Sequence, residues 1–280
     1  MEHLKEILEN VRESAPLIHN ITNYVTVNDC ANILLACGAS PIMADDGKEV
    51  EEITAICNGL VINIGTLNER TVEAMIKAGK KANELNHPVI LDPVGAGASA
   101  LRTETTKRLL QEIKFTAIRG NISEIMTVYK GSGSTKGVDA DSADRVTENT
   151  IKETLRFAKA LSEETGAIIA ITGAIDIVAD AERAYIIRNG HPMMSKITGT
   201  GCMLTAIMGA FLAANSDLLL KAATASVCAM GICGELAYLK ITETKGGTAS
   251  LKMYLIDSMS ELTGDTLANR ASITEVTELK

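Results

Sequence analysis

The sequence has no tryptophan, three phenylalanines and five tyrosines, so aromatic residues make up only 3% of its 280 positions. It also lacks a basic excess: 27 Lys and Arg against 35 Asp and Glu leave a net charge of −8. A nucleic-acid-binding surface needs a basic face and stacking rings, and this composition argues against that class. The six cysteines include no C-x-x-C pair, which disfavours a zinc ribbon or a thioredoxin-type motif. Four of them lie in apolar helical stretches, where cysteine behaves as a small hydrophobe. The opening Met1-Glu2-His3-Leu4-Lys5-Glu6 has neither the basic start nor the apolar run of a signal peptide, so a reducing cytoplasm is the expected compartment. No linker, low-complexity segment or internal repeat interrupts the chain, and one domain over residues 1–280 is expected. The acidic balance would repel a phosphate compound, so any site for one must draw its positive potential locally.

Long uncharged runs are also scarce. Ile197 to Ser216 carries no charge and is long enough to span a bilayer. However, Thr198-Gly199-Thr200-Gly201 opens it and Asn215-Ser216 closes it, which leaves an apolar core of three or four helical turns. That length suits a buried globular helix, and no membrane span is expected.

What is present is an alternation of short apolar runs with helical patterns. Leu4, Ile7, Leu8 and Val11 mark an amphipathic helix from Met1 to Ser14, stopped by Pro16. A helix over Val27–Ala36 ends at Gly38 and precedes Ser40–Ala44. Leu60–Gly65, a helix over Glu69–Glu84, Pro88–Asp92, Phe115–Arg119 and Ala167–Ile171 continue the rhythm. Continuous apolar strands separated by helices predict an α/β fold whose mostly parallel sheet is covered on both faces. After Thr172 the gaps shorten to turns, so Asp176–Ala179 and Ala184–Ile187 are expected as antiparallel strands at the sheet edge. Helices around Cys202–Ala214 and Leu218–Leu239, and a third from Ser250, close the chain.

Ligands of open α/β sheets bind at the carboxyl ends of the strands. Asn63-Ile64-Gly65-Thr66, Asp92-Pro93-Val94-Gly95-Ala96-Gly97, Arg119-Gly120-Asn121-Ile122-Ser123-Glu124 and Thr172-Gly173-Ala174 all fall there. Each alone reads as a turn; four together point to a site. Gly199-Thr200-Gly201-Cys202 stands immediately before an apolar helix, where successive N–H groups and the helix dipole form an anion hole. It matches neither the P-loop nor the dinucleotide glycine pattern. Asn121 and Glu124 share one face of a helix start and, with Asp92, could form an oxygen cluster suited to Mg²⁺; a plain helix cap explains the same spacing equally well.

These segments resemble a known family. His19-Asn20-Ile21-Thr22-Asn23-Tyr24-Val25, Ser40-Pro41-Ile42-Met43-Ala44, Asn63-Ile64-Gly65-Thr66-Leu67, Leu91-Asp92-Pro93-Val94-Gly95-Ala96, Arg119-Gly120-Asn121-x-x-Glu124 and Gly199-Thr200-Gly201-Cys202 occur in the order found in hydroxyethylthiazole kinases. The likeness runs from about Pro16 to the final helices. It implies a ribokinase-like three-layer sandwich and ATP- and Mg²⁺-dependent phosphorylation of the hydroxyl of 4-methyl-5-(2-hydroxyethyl)thiazole, a salvage step toward thiamine. It also implies a homotrimer whose thiazole pockets lie between subunits. Carried over by motif, Arg119 and Thr172, with Asn121 beside them, would contact ATP, and Asp92 and Glu124 would serve the metal and phosphates. Asn23, Met43, Gly65, Thr66 and Gly199 would line the thiazole site, with Gly199, Thr200, Gly201 and Cys202 at the reacting group. With so few rings available, aliphatic and methionine side chains are expected to grip the thiazole.

Cys202 stands where most ribokinase-like sugar kinases carry an aspartate base. Its place at a helix N-terminus predicts a lowered thiol pKa and a helpful but dispensable part in catalysis. Gly246-Gly247-Thr248-Ala249-Ser250 replaces a Gly-Pro-Gly-Ser-like run of relatives, which puts local geometry in question. His19, His87 and His191 are read as structural or exposed. Rival readings are a hydroxymethylpyrimidine kinase, an ATP-dependent hydro-lyase of the same superfamily, or a non-catalytic nucleotide-binding protein.

Overall fold

A computed structural model describes residues 3–131 and 146–276. Its centre is one nine-stranded sheet. In chain order the strands are β1 (Leu17–Ile21), β2 (Ser40–Ile42), β3 (Gly59–Asn63), β4 (Val89–Asp92), β5 (Ala117–Gly120), β6 (Ile168–Ile171), β7 (Asp176–Ala179), β8 (Ala184–Ile187) and β9 (Ile273–Val276). Across the sheet they run β2–β1–β3–β4–β5–β6–β7–β8–β9. The first six are parallel. From β7 onward each strand is antiparallel to its neighbour.

Side chains alternate between two cores. Val61 and Ile90 face the helices α1 (Leu4–Ser14), α2 (Val27–Cys37), α8 (Thr200–Ala214), α9 (Leu219–Thr244), α10 (Thr248–Glu261) and α11 (Gly264–Arg270). Leu60, Ile62, Val89 and Leu91 face α3 (Val50–Ile56), α4 (Glu69–Glu84), α5 (Ala100–Glu112), α6 (Ile122–Lys130) and α7 (Ile151–Thr165). Both faces are therefore apolar, which is why the strands read as uninterrupted hydrophobic runs rather than alternating ones. The three-layer expectation holds.

Two strands escape a sequence reading. β1 carries His19 and Asn20, and both are buried. His19 sits between the Thr54 hydroxyl (Nδ1, 3.0 Å) and the Ala44 carbonyl (Nε2, 2.8 Å), so hydrogen bonds satisfy it inside the sheet. Burial lowers its pKa, which keeps the ring neutral and structural. β9, Ile-Thr-Glu-Val, has no buried face to pattern it, and it takes the outer edge beyond β7 and β8.

The stretch tested for a membrane span folds as α8, with Met203–Leu212 wholly buried against β1, β3, β4 and α9. By length and composition α9 could also cross a membrane, yet 78% of its apolar window is buried in the fold. It is a core helix. Gly246 and Gly247 form the turn between α9 and α10, so the departure from relatives falls in a surface connection.

Candidate active site

The carboxyl ends of β1, β3, β4, β5 and β6 gather around the N-terminus of α8. Asp92 ends β4 with no solvent exposure. Its Oδ2 accepts from Asn63 Nδ2 (2.9 Å) and Thr205 Oγ1 (2.8 Å). Its Oδ1 accepts no hydrogen bond among the described residues and faces Arg119 Nη1 at 3.7 Å. Burial pushes the Asp92 pKa up, against the opposing pull of Arg119 and those two hydrogen bonds. An orphaned carboxylate oxygen at a strand end is a group held ready for a ligand.

Asn63 ends β3 and connects four parts of the site. Besides Asp92, its Nδ2 reaches Cys202 Sγ (3.3 Å), and its Oδ1 accepts from Gly65 N (2.9 Å) and Asn23 Nδ2 (3.0 Å). Asn23 in turn donates to Cys202 Sγ (3.3 Å) and accepts from the backbone of Val25 and Thr26. Its amide is thus fully engaged and buried. A Cβ on Gly65 would lie 2.9 Å from Asn23 Cβ, so only glycine fits there. Thr66 Oγ1 takes the Tyr24 N–H at 3.3 Å. Met43 is half-buried, two strands from β3, where it follows the edge strand β2.

Arg119 projects from β5 across the mouth of α8. Its Nη2 donates to Thr172 Oγ1 at the end of β6 (2.6 Å), while its Nε has no partner among the described residues. A Cβ on Gly201 would lie 2.5 Å from Arg119 Nη1. Gly201 therefore lets the guanidinium rest on the first turn of the helix. Gly199, the N-cap, has φ +90°, and a side chain there would strike Thr26 Cγ2 at 2.8 Å. Among the described residues no side chain caps α8, which leaves the N–H groups around Gly199, Thr200, Gly201 and Cys202 available to an anion. Arg119 and this helix end supply locally the positive potential that the net charge of −8 denies.

Glu124 lies in the first turn of α6, whose N-cap is Asn121. The two form a capping box: Glu124 N donates to Asn121 Oδ1 (2.9 Å) and Asn121 N to Glu124 Oε2 (2.8 Å). The cap and the site are therefore the same structure, because Glu124 Oε1 also takes Gly95 N at 2.8 Å beyond β4. Burial first and the Asp92 charge second push its carboxyl up to about 7. Asp92 and Glu124 together fit Mg²⁺. Two buried carboxylates with raised pKa values and one arginine leave negative charge that a divalent cation would balance, and Mg²⁺ is usually held by one or two carboxylates plus phosphates.

Cys202 corrects the sequence expectation. Its thiol pKa is raised, first by burial and next by Asp92, and the donors Thr26 and Asn23 only partly oppose this. The helix N-terminus loses to burial beside a carboxylate. Asn63 and Thr205 are the residues that sequence reasoning missed as site members. Thr205 lies one helical turn beyond Gly201, a spacing that could have flagged it; Asn63 opens the Asn63-Ile64-Gly65-Thr66 segment at the end of β3, and that strand-end position is its signal. His191 stacks on Tyr238 with ring centroids 3.5 Å apart, a structural role.

Comparison with known proteins agrees with this geometry. Residues 8–265 match the hydroxyethylthiazole kinase family. A hydroxyethylthiazole kinase from Clostridium acetobutylicum is 65% identical over 268 residues, covering 96% of this chain and 98% of the relative. The solved structure of a hydroxyethylthiazole kinase protein from Pyrococcus horikoshii superposes with a TM-score of 0.87 at 36% identity, over 99% of this chain and all of that one. A ribokinase-like superfamily protein from Enterococcus faecalis shares the fold alone, at 13% identity and a TM-score of 0.61 over 93% of this chain and 95% of that one. By this match and these identities, the chain belongs to the hydroxyethylthiazole kinase family.

Proposed function

We propose that this chain, as one domain over residues 1–280, transfers the γ-phosphoryl group of ATP to the hydroxyl of 4-methyl-5-(2-hydroxyethyl)thiazole, a salvage step toward thiamine. The observation that carries the reading is the convergence of Arg119, Asp92, Glu124 and the uncapped N-terminus of α8 at one set of strand ends. In a family of kinases, that is a place for a phosphoryl group to pass.

Phosphoryl transfer proceeds through a loose transition state, so positioning and charge stabilisation dominate. The N–H groups of Gly199, Thr200, Gly201 and Cys202 hold the equatorial oxygens of the moving group. Arg119, steadied by Thr172, grips the nucleotide phosphates alongside Asn121. Asp92 and Glu124 would hold Mg²⁺, which when bound neutralises phosphate charge. Asn23, Met43, Gly65, Thr66 and Gly199 line the thiazole pocket. Cys202, protonated at neutral pH by its raised pKa, orients the alcohol rather than deprotonating it. Little proton removal is needed before a loose transition state, so a strong base is unnecessary.

The pocket is completed by a neighbouring subunit in a homotrimer. Tyr24 and Val25, 79% and 57% exposed beside Asn23, are apolar surface at the rim of the site and support that arrangement. Six free cysteines suit the cytoplasm. Steady-state ADP formation tests the reading with three acceptors: the thiazole alcohol, a hydroxymethylpyrimidine and a hydrated nicotinamide cofactor. The thiazole alcohol should give the highest kcat/KM; ATP binding without turnover on any of the three would make this a non-catalytic binding protein.

A further inference from the structure

We propose that Arg102 is a positioning residue that locks the alcohol-side loop to the phosphate-side loop, an inference that rests on the kinase reading above. Arg102 lies in the first turn of α5, where its N–H is capped by Ser99 Oγ at 3.3 Å. Its guanidinium leaves the helix and spans two loops. Nη1 donates to the Val94 carbonyl, and Nη2 donates to the Gly65 carbonyl at 2.7 Å. Val94 belongs to the loop after β4, and Gly65 to the loop after β3.

The force of the arrangement lies in which peptides are held. The Val94 carbonyl and the Gly95 N–H are two ends of one peptide unit, and that N–H donates to Glu124 Oε1 at 2.8 Å. The peptide is therefore pinned between a cation and a carboxylate, with its orientation fixed by both. It is also the peptide that enters Gly95, whose φ is +70° and whose missing Cβ would lie 2.7 Å from Arg102 Nη1. The Arg102 guanidinium thus occupies space that only a glycine at 95 leaves open. On the other arm, holding the Gly65 carbonyl fixes the Gly65–Thr66 peptide. In a trans unit the Thr66 N–H points opposite to that carbonyl. Gly65 N is already held by Asn63 Oδ1, so both peptides flanking Gly65 are anchored.

A planar fork with five donors can bridge two carbonyls; a single ammonium is a compact point donor and cannot do so in the same geometry. Arg102 thus sets the distance between Gly65–Thr66, on the alcohol side, and the Gly95–Glu124 pair, on the metal and phosphate side. Misplacing reactants by about 1 Å costs on the order of 10²-fold in rate.

The test compares the full-length wild type with Arg102→Ala, Arg102→Lys and the control Arg108→Met. Arg108 is on the same helix but, among the described residues, pairs with the exposed Glu73 and the half-buried Glu112, away from the site loops. In Arg102→Ala, kcat for the thiazole alcohol should fall roughly 10–100-fold and its KM should rise. Millimolar guanidinium should recover part of kcat, and Arg102→Lys should recover less than a tenth of the loss. Arg108→Met should match wild type. A folded Arg102→Ala with kcat and KM within twofold of wild type would overturn the proposal, as would a loss that guanidinium does not relieve. If wild type itself fails to phosphorylate the alcohol, the kinase reading fails separately. Hydrogen exchange then reads the lock, because Arg102→Ala should speed exchange at Gly95 N–H about tenfold or more, and unchanged exchange would refute it.

Discussion

Replacing Glu124 by glutamine should change how the ligand-free protein responds to pH. The wild-type carboxyl is 4% exposed, and its folded pKa is pushed from 4.5 up to about 7. Because the folded value is the raised one, Glu124 contributes stability that is fully present below about pH 4.5 and lost as pH rises through about 7. The shift of about 2.5 units, at about 1.36 kcal/mol each, amounts to about 3 kcal/mol of stability lost by mildly alkaline pH. Glu124→Gln cannot titrate. Its NH₂ must face one of the two N–H donors that Glu124 now accepts, Gly95 or Asn121, and that fault is the same at every pH. The difference between the two proteins therefore separates slope from offset. Urea unfolding without metal or nucleotide, at a series of pH values from about 5 to 8.5, should show the variant gaining about 2.5 kcal/mol relative to wild type, since part of the loss already falls below pH 5. Asp176 titrates in both proteins and largely cancels, whereas Asp92 is coupled to Glu124, so the difference reads the titration of that pair. A difference constant within about 1 kcal/mol would refute the claim that burial and Asp92 strain this carboxylate.

Further outcomes follow from the same geometry. Cys202→Ser should fold and keep measurable turnover, reduced about tenfold or less, because a protonated thiol positions rather than abstracts; loss of all detectable activity in a folded protein would contradict this. Gly199→Ala places a side chain at φ +90° against Thr26 Cγ2, and thermal unfolding should show a cost of at least about 1–2 kcal/mol with impaired turnover. Thr205→Val removes the hydroxyl on Asp92 Oδ2; chemical denaturation near neutral pH should report a loss of about 1.5–3 kcal/mol, and kcat should fall. Arg119→Lys loses the planar contact with Thr172 and Gly201, so KM for ATP should rise about tenfold.

The sequence disclosed most where one physical rule governs a segment. Strands buried on both faces read as apolar runs, which made β3 to β6 visible; β1 stayed hidden because His19 and Asn20 interrupt the run, His19 being satisfied by the distant Thr54 and Ala44 and Asn20 Nδ2 by the Ile18 carbonyl of its own strand. Site residues at strand ends were legible because turn glycines and polar groups mark them. The partners that hold those residues were not. Asn63, Thr205 and Arg102 act across 139, 113 and 37 positions, on Cys202, Asp92 and Gly65, and no local pattern encodes such distances. Cys202 shows the same limit: its helix position was readable, but the burial and the Asp92 charge that reverse its expected pKa shift belong to the tertiary structure.

In the proposed reaction, Arg119, Asp92, Glu124 and the N-terminus of α8 deliver a phosphoryl group to a thiazole alcohol. Product analysis after incubation with ATP, Mg²⁺ and 4-methyl-5-(2-hydroxyethyl)thiazole tests it most directly. The thiazole phosphate and ADP should form in equal amounts, with the new phosphoryl group on the side-chain oxygen. ADP with only inorganic phosphate, or a phosphorylated pyrimidine alcohol in preference to the thiazole, would contradict it.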